Sequence, residues 1–255
     1  MKKIIMICGE GDNSNYIHNH VAKEFEISKV FFVGDGSRKA FLKKRIKRLG
    51  LFKVIGQILF VIYIRLFLSK KSDERIREIK REYELDSTEV PSDKTEHVES
   101  VNSDHMYEKI KEHQPDLVII NGTPIIKKHI LDAVDVHFLN IHVGITPKYR
   151  GVHGGYWALY NKDENLVGVT THFVDAGIDT GTVLDQRTIQ ITSDDNFLTY
   201  THLQAAAALE NYNDIVRAIL DDDIEFKEPL TKESMIWSHP TLWQYIYGRI
   251  FKKVK

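Results

Sequence analysis

The sequence has 255 residues, of which 35 are Lys or Arg and 36 are Asp or Glu, giving a formal net charge of −1. This length fits one α/β domain with elaborations, and the charge balance gives no global reason to expect nucleic acid or another polyanion as partner. Cys8 is the one cysteine, which excludes an internal disulfide and a thiolate metal cluster and fits the cytoplasm, where we expect the protein to be found.

The N-terminal region has the pattern of a strand, a helix and a second strand. An apolar run covers Lys3 to Cys8, a helical stretch covers Tyr16 to Phe25, and "KVFFVGDG" ends at Gly36. This spacing predicts a parallel sheet with crossover helices. The turn "CGEGDNSN" fits either a phosphate-binding loop or a plain turn capped by Asn and Asp. The first apolar run is shorter than the roughly seven residues of a signal-peptide core, so it predicts a buried strand.

Residues 37–86 are helix-rich and are basic at their start. They match no common core element of a domain built on a parallel sheet, so we expect them to form a helical insertion. Within them, residues 51–71 ("LFKVIGQILFVIYIRLFLSKK") have their longest uncharged run from Val54 to Ile64, well short of the roughly 20 residues that span a bilayer. The flanks "KKRIKR" and "SKK" are basic. The pattern fits a helix packed on the domain or at a homodimer interface, or one lying weakly on anionic lipid.

Strand and helix signals alternate again after the polar loop at residues 87–95. "HVESVNS" predicts a short strand, "SDHMYEKIKEHQ" a helix, and "PDLVIING" a buried strand ended by a turn. "TPIIKKHILDAV" has a Pro near the start of a predicted helix, "HFLNIH" predicts a strand, and "LVGVTTHFVDAGIDTGTVLDQRTIQI" predicts two strands joined by "DAGIDTG". The whole predicts an α/β, Rossmann-like, mostly parallel sheet with flanking helices.

Ligands in such sheets bind beyond the carboxyl ends of the strands. Four predicted loops follow strands and should therefore surround one cleft: residues 9–15, 121–126, 140–155 and 175–181. Asn140 and His142 are two apart, so in a strand their side chains leave on one face, and Asp179 lies in a Gly-flanked turn that can join them. An amide, an imidazole and a carboxylate together can polarise a carbonyl, stabilise an oxyanion and remove a proton.

Residues 139–151 ("LNIHVGITPKYRG") and 168–181 ("GVTTHFVDAGIDTG") carry these groups in an order that resembles the signature of N10-formyltetrahydrofolate-dependent formyltransferases, most closely those acting on sugar nucleotides. The likeness covers roughly residues 110–190. It implies a Rossmann-like fold, the catalytic trio Asn140, His142 and Asp179, and N10-formyltetrahydrofolate as co-substrate without a metal.

The same resemblance implies that the pterin ring binds between two loops, whose residues are Gly122, Thr123, Ile125, Ile126, Asp175, Ala176 and Gly177. The turn formed by Lys148, Tyr149, Arg150 and Gly151 is the candidate site for the amine substrate, because its cations and backbone N–H groups suit a diphosphate. Tyr149 and Arg150 fit either contact with an anionic substrate or simple closure of the turn. The remaining candidate histidines lack comparable support and are interpreted as structural: His18, His20, His153 and His172.

Several acceptors are implied by the resemblance, and a nucleotide-linked amino sugar for surface polysaccharide is the preferred one. Glycinamide ribonucleotide remains the main alternative, although that enzyme more usually has Pro-Ser where Val143–Gly144 follows the histidine here. Initiator methionyl-tRNA and water are disfavoured, because relatives using them carry a basic C-terminal or a regulatory N-terminal domain that we do not expect here. A catalytically silent binding protein on the same fold is the alternative from another class, disfavoured because the trio is intact.

The C-terminal stretch "WSHPTLWQYIYGRIFKKVK" is rich in aromatic residues. These side chains can stack on a base or sugar, but packing on the domain or between two subunits is the favoured interpretation. We therefore expect a catalytic domain at residues 1–192, which includes the insertion at 37–86, and a C-terminal helix and aromatic extension at 193–255.

Overall fold

The computed structural model describes residues 2–34 and 38–255, with side chains left out for residues 38–41. The predicted end of the second strand at Gly36 lies outside the described residues. The described strands, in chain order, are β1 (Ile4–Cys8), β2 (Ile27–Val33), β3 (Thr95–Val98), β4 (Leu117–Asn121), β5 (His137–His142), β6 (Arg150–Gly151), β7 (Gly168–Phe173), β8 (Val183–Thr188) and β9 (Ile236–Trp237).

Seven of these strands form the central sheet, in the order β3-β2-β1-β4-β5-β7-β8. The pairs from β3 through β5 are parallel, whereas β7 is antiparallel to both β5 and β8. The short strands β6 and β9 pair separately. The predicted mostly parallel, Rossmann-like α/β sheet is confirmed.

The described helices flank this sheet. They are α1 (Asp12–Val21), α2 (Arg38–Leu49), α3 (Leu51–Tyr63), α4 (Ser69–Glu82), α5 (Asp104–His113), α6 (Lys128–Leu131), α7 (Gly154–Tyr160), α8 (Tyr200–Leu209), α9 (Tyr212–Leu220) and α10 (Leu242–Phe251). A π-helical segment (Ile64–Leu68) joins α3 to α4, so that one continuous helix runs from Leu51 to Glu82.

The sheet is buried on both faces, which explains the unbroken apolar runs of its parallel strands. Alternate residues of β1 enter opposite layers: Ile4 and Met6 pack in one apolar cluster, and Ile5 and Ile7 in the other. Residues of α8 and α9 belong to the first cluster. Residues of the predicted C-terminal extension thus complete the first apolar cluster.

The insertion packs against the C-terminal segment. Phe60 of α3 lies 4.9 Å from the ring of Phe197 and 4.7 Å from that of Tyr245 on α10. Gln57 Nε2 donates a hydrogen bond of 2.6 Å to the His239 carbonyl oxygen. The predicted insertion and the predicted aromatic extension thus form one layer, and the aromatic side chains named here serve packing.

Two helix starts differ from the sequence prediction. Helix α1 begins at Asp12, earlier than Tyr16, and its N-cap is Gly11 at φ 138° without a side-chain cap, rather than an Asn or Asp. The helix predicted from Pro124 begins only at Lys128. The side chain of Asn102 explains the delay, since it donates to the Ile125 carbonyl oxygen at 2.9 Å and accepts from the Lys127 amide at 2.7 Å, holding the intervening loop out of helical geometry.

Partly buried histidines in the layer beside α3 should make the protein acid-sensitive. Burial, then the neighbouring His239 and Arg45, lower the pKa of His153 from 6.5 to about 3. Below pH 6.5 the unfolded chain then binds the proton more readily than the folded chain does, so the free energy of unfolding falls as the pH drops from 6.5 towards 3. We expect a lower denaturant midpoint at pH 5 than at pH 7.

The variant His153→Asn provides the comparison, because asparagine tolerates the φ of 59° found at this position. Its midpoint should fall less between pH 7 and pH 5 than that of the wild type. Equal losses in the two proteins would show that His153 does not contribute to the acid sensitivity.

Candidate active site

The structure brings the three predicted catalytic residues together. Asn140 and His142 lie two apart on β5, and the His142 side chain is 5% exposed. The Nδ1 atom of His142 is 3.4 Å from Asp179 Oδ2. Its Nε2 atom lies 2.7 Å from the carbonyl oxygen of Tyr149, which can only accept, so Nε2 carries a proton and donates it. The imidazole therefore sits between a fixed acceptor and a carboxylate.

The turn that carries Asp179 reaches this place by a different route from the one predicted. The loops after β1 and β4 do meet, with the Gly9 amide donating to the Asn121 carbonyl oxygen at 3.0 Å. Strand β7, however, is antiparallel and ends level with Leu139, so its turn does not leave at the carboxyl edge of the parallel strands. The turn at residues 175–181 folds back along β5 to bring Asp179 to His142.

Backbone and side-chain hydrogen bonds hold Asp179 in place. Its Oδ2 atom accepts a hydrogen bond of 2.8 Å from the Gly151 amide, and its φ is 49°. The Arg150 guanidinium donates to the Ile178 carbonyl oxygen at 3.2 Å. Within the turn, Asp175 Oδ1 accepts from the Gly177 amide at 2.9 Å. The residues of the predicted acceptor turn thus also fix the carboxylate.

Gly144 permits the close contact between His142 and the chain that follows it. A Cβ at this position would lie 2.9 Å from His142 Nε2 and would collide with the Tyr149 carbonyl oxygen that Nε2 binds. The backbone of Gly154 also passes against Gly144. Gly144 and Gly154 are therefore needed for the orientation of the His142 imidazole. This requirement gives a physical reason for part of the "HVGITPKYRGVHGG" pattern.

A second histidine, His172, belongs to the site although the sequence pattern gave it no support. It pairs with Asn140 across β5 and β7, and its Nε2 atom is 3.1 Å from Asn140 Nδ2. Burial, then the nearby His142, lower the pKa of His172. Its Nδ1 atom donates to the Phe173 carbonyl oxygen at 2.7 Å, so in the neutral ring Nε2 is the acceptor and Asn140 presents its NH₂ group.

The sequence predicted both strands but not their pairing with each other. In the structure β5 pairs antiparallel with β7, which places His172 opposite Asn140. Because neither this pairing nor its register was predicted, the partner of Asn140 remained unassigned.

Two of the predicted substrate residues are held by contacts within the protein. Lys148 Nζ is 3.0 Å from Asp163 Oδ2 and 2.9 Å from Glu233 Oε2, and hydrogen bonds to these carboxylates raise its pKa. Tyr149 is fully buried, and its hydroxyl donates to Asp163. This geometry favours a structural role for Lys148 and Tyr149, whereas Arg150 and Gly151 border the carboxylate of the trio.

The two loops predicted to hold the pterin differ in exposure. Ile125 is 52% exposed, but Ile126 is 4% exposed and packs in the second apolar cluster of the core. Val174, just before the exposed residues 175–177, packs against the same cluster. Both loops therefore begin beside the same face of the sheet. Ile125 rather than Ile126 offers an apolar surface to a ligand. Gly122, at φ 63°, forms the turn between β4 and this loop, ahead of Thr123.

The comparison with protein families agrees with this arrangement. The sequence profile described as "Formyl transferase" matches residues 1–219. The chain belongs to the formyl transferase family, whose members are enzymes.

Individual relatives within this family carry several activities. The chain is 37% identical over 99 residues to a methionyl-tRNA formyltransferase from Thermodesulfovibrio yellowstonii, which covers 38% of this chain and 32% of that protein. The chain thus matches only about a third of the length of that relative. A sugar N-formyltransferase from a Shewanella species superposes with a TM-score of 0.59 at 17% identity over 93% of this chain and 76% of that one. Phosphoribosylglycinamide formyltransferase from Streptococcus pneumoniae gives a TM-score of 0.54 at 25% identity over 86% and 98% of the two chains.

Proposed function

We propose that this protein transfers the formyl group of N10-formyltetrahydrofolate to a primary amine, and that the amine belongs to a nucleotide-linked amino sugar used for surface polysaccharide. The observation that carries the proposal is the shared site of Asn140, His142 and Asp179 in a chain of the formyl transferase family. The reaction forms a bond between the amine nitrogen and the formyl carbon, breaks the bond from that carbon to the folate nitrogen, and moves one proton from the amine to the folate nitrogen.

Asn140 supplies a hydrogen-bond donor for the formyl oxygen. One N–H of its amide is engaged by His172 Nε2 at 3.1 Å, which fixes the plane of the amide. The second N–H is then a pre-oriented donor for the negative charge that grows on the oxygen when the amine attacks. Because the position is partly buried, this hydrogen bond acts with less screening by water.

The His142–Asp179 pair handles the proton. With Nε2 donating to the Tyr149 carbonyl, the opposite nitrogen and the Asp179 carboxylate, 3.4 Å apart, can hold one proton between them. The pair can thus accept the proton that the attacking amine must lose, and a protonated imidazole beside the formyl oxygen adds to its stabilisation.

The loop residues fit a flat heterocycle with a polar edge. Ile125 supplies an exposed apolar side chain, and the turn at 175–177 supplies exposed backbone groups held in place by Asp175. Such a combination of an apolar wall with a few directed polar groups is typical of cofactor sites. The donor, when bound there, supplies the activated formyl group.

For the amino-sugar acceptor, the support comes from the chain's own pattern. Val143 and Gly144 follow the histidine, and the tryptophan-containing helix α7 follows the turn. The ring of Trp157 on α7 stacks on Trp237, and Trp237 in turn stacks on Tyr149 of the turn. Arg150 lies at the acceptor turn, where a diphosphate would need a cationic partner. Glycinamide ribonucleotide and initiator methionyl-tRNA are the competing acceptors, and named relatives carry both activities.

A panel of acceptors tests this proposal. Nucleotide-linked 3-amino and 4-amino sugars, glycinamide ribonucleotide and initiator methionyl-tRNA are each incubated with the protein and formylfolate, and products are identified by mass spectrometry. An amino-sugar nucleotide should be formylated with a kcat/KM at least about tenfold above the other acceptors. Formylation of glycinamide ribonucleotide or methionyl-tRNA alone would replace the proposed acceptor.

The donor side has its own expected result. A non-reactive folate analogue should raise the melting temperature of the wild type, and the variant Ile125→Asp should lose most of that shift, because a carboxylate replaces the apolar wall. The matched control Leu230→Asp changes an exposed aliphatic residue that lies outside both loops and should keep the shift. Equal shifts in all three proteins would exclude Ile125 from the donor site. Ile126 is unsuitable for this test because it is buried in the core.

His172 should act as a positioning residue. The variant His172→Ala leaves the Asn140 amide without the acceptor that fixes its plane, so kcat should fall by about tenfold or more while the KM for each substrate changes little. The matched control is His202→Ala, which removes a partly buried histidine that is hydrogen-bonded to Tyr16 away from the site. If His172→Ala and His202→Ala reduce kcat equally, the effect of His172 is one of stability and the positioning role is wrong.

A further inference from the structure

The insertion and the last helix together carry a large exposed apolar surface. Phe52 is 75% exposed, Leu66 is 67% exposed and Phe251 is 68% exposed. The other members of this surface, which we call the apolar face, are Leu51, Ile55, Ile58, Leu59, Val61, Ile62, Phe67, Ile246, Tyr247 and Ile250. Scattered single apolar residues are ordinary on a protein surface, but a patch drawn from two neighbouring helices marks an interaction site.

Packing between α3 and α10 makes the apolar face one continuous unit. The ring of Phe52 stacks on that of Trp243 with centroids 4.4 Å apart. Gly56 allows this approach, because a Cβ at its position would collide with the Trp243 ring. The face is therefore built by both segments, and neither segment alone would present it.

The same helices are anchored to the domain on their other side. Val54, Gln57 and Phe60 of α3 are buried, and beyond the π-helical segment Ser72 donates to Asn196 Oδ1 at 3.1 Å. The helix from Leu51 to Glu82 has the length and apolar character of a membrane span, yet these contacts hold it along the protein. It is thus arranged to lie on a surface with its outer face rather than to cross a bilayer.

Charge separates this part of the chain from the rest. Residues 38–72 contain eleven Lys or Arg and no Asp or Glu, and residues 242–255 contain four and none. The remainder carries 20 basic and 36 acidic residues. Among the described side chains, the partly exposed Lys53 and the exposed Arg249 lie on the helices that form the apolar face. The near-neutral total therefore conceals a basic, apolar surface on an otherwise acidic protein.

We propose that the apolar face binds the surface of an anionic lipid bilayer. Aromatic and aliphatic side chains with basic residues on the same helices match the interfacial region of a membrane, where apolar groups enter the acyl boundary and cations meet the lipid phosphates. A second copy of this chain is a poorer occupant, because two faces of equal positive charge would then be brought together. This inference does not depend on the reaction that the protein catalyses.

Co-sedimentation with lipid vesicles tests the proposal. The full chain is mixed with vesicles of phosphatidylcholine alone or with added phosphatidylglycerol, at low and high salt. We expect binding to the vesicles that contain phosphatidylglycerol, weaker binding at high salt, and at least tenfold weaker binding to phosphatidylcholine. The double variant Phe52→Glu, Phe67→Glu should reduce binding to anionic vesicles by about tenfold or more.

A second double variant, Phe226→Glu with Leu230→Glu, is the matched control, since it adds the same charges at residues 61% and 56% exposed outside the apolar face. It should bind anionic vesicles nearly as well as the wild type. Light scattering without lipid gives the oligomeric state of all three proteins. The proposal is overturned if the wild type does not bind anionic vesicles, or if the control variant loses as much binding as the first variant. It is also overturned if the wild type and the control are dimers and the first variant is a monomer.

Discussion

Replacing His142 by alanine, or Asp179 by asparagine, is expected to lower kcat for formyl transfer by at least about a hundredfold. The physical reason is that the two side chains, 3.4 Å apart, handle one proton as a unit. His142→Ala removes the imidazole, while Asp179→Asn keeps the shape of the side chain but replaces the carboxylate that would hold the proton. Steady-state kinetics with saturating formylfolate and acceptor gives the comparison, and KM should change much less than kcat.

The double variant sharpens this test. If the pair acts as a unit, His142→Ala combined with Asp179→Asn should be hardly slower than the slower single variant, because the second change removes nothing further. His105→Ala is the control, since His105 faces Glu96 at 3.2 Å in an exposed pair elsewhere on the domain. Near-normal turnover in both single variants, with the fold intact by circular dichroism, would rule out the proton-handling role.

The second large effect is expected at Asn140. Removing one oxyanion donor commonly reduces kcat by about 10²–10³-fold, and Asn140→Ala should fall in that range. Asn140→Asp should be at least as slow although it is nearly isosteric, because a carboxylate presents no N–H to the growing negative charge. Single-turnover rates of formyl transfer measure this effect without interference from product release.

Asn213→Ala is the matched control for these two variants, since Asn213 is a buried asparagine that binds the His20 carbonyl and Glu24 far from β5. Its single-turnover rate should equal that of the wild type. Should Asn140→Asp react as fast as the wild type, the amide would not be the oxyanion donor.

The sheet could be predicted from the sequence because its parallel strands are buried on both faces. Runs such as Ile4–Cys8 and Leu117–Asn121 are almost entirely apolar and buried, so each is recognised as a strand of a parallel sheet. Local exceptions came from contacts that are distant in sequence. The loop before α6 is held out of helical geometry by Asn102, 25 residues earlier than Lys127, and no pattern within the loop indicates this.

The site was predicted as far as local spacing determines it. The two-residue spacing of Asn140 and His142 fixes a shared face in any strand, and the Gly-flanked turn of Asp179 signals a loop. The register between strands and the burial of individual side chains could not be predicted from local spacing. The position of His172 opposite Asn140 depends on strand register, and the burial of Ile126 and Tyr149 depends on which neighbours pack against them. The ion pair of Lys148 with Asp163 likewise favours a structural role for Lys148 over the predicted contact with the substrate.

Transfer of a labelled formyl group tests the central claim most directly. Formylfolate carrying carbon-13 in its formyl group is incubated with the wild type, with Asp179→Asn and with the acceptor panel, and the products are followed by NMR and mass spectrometry. The account predicts that the label appears as an amide carbon on an amine acceptor, at least about a hundredfold faster with the wild type than with Asp179→Asn. Release of the label only as formate, or no transfer to any amine by folded wild-type protein, would contradict it.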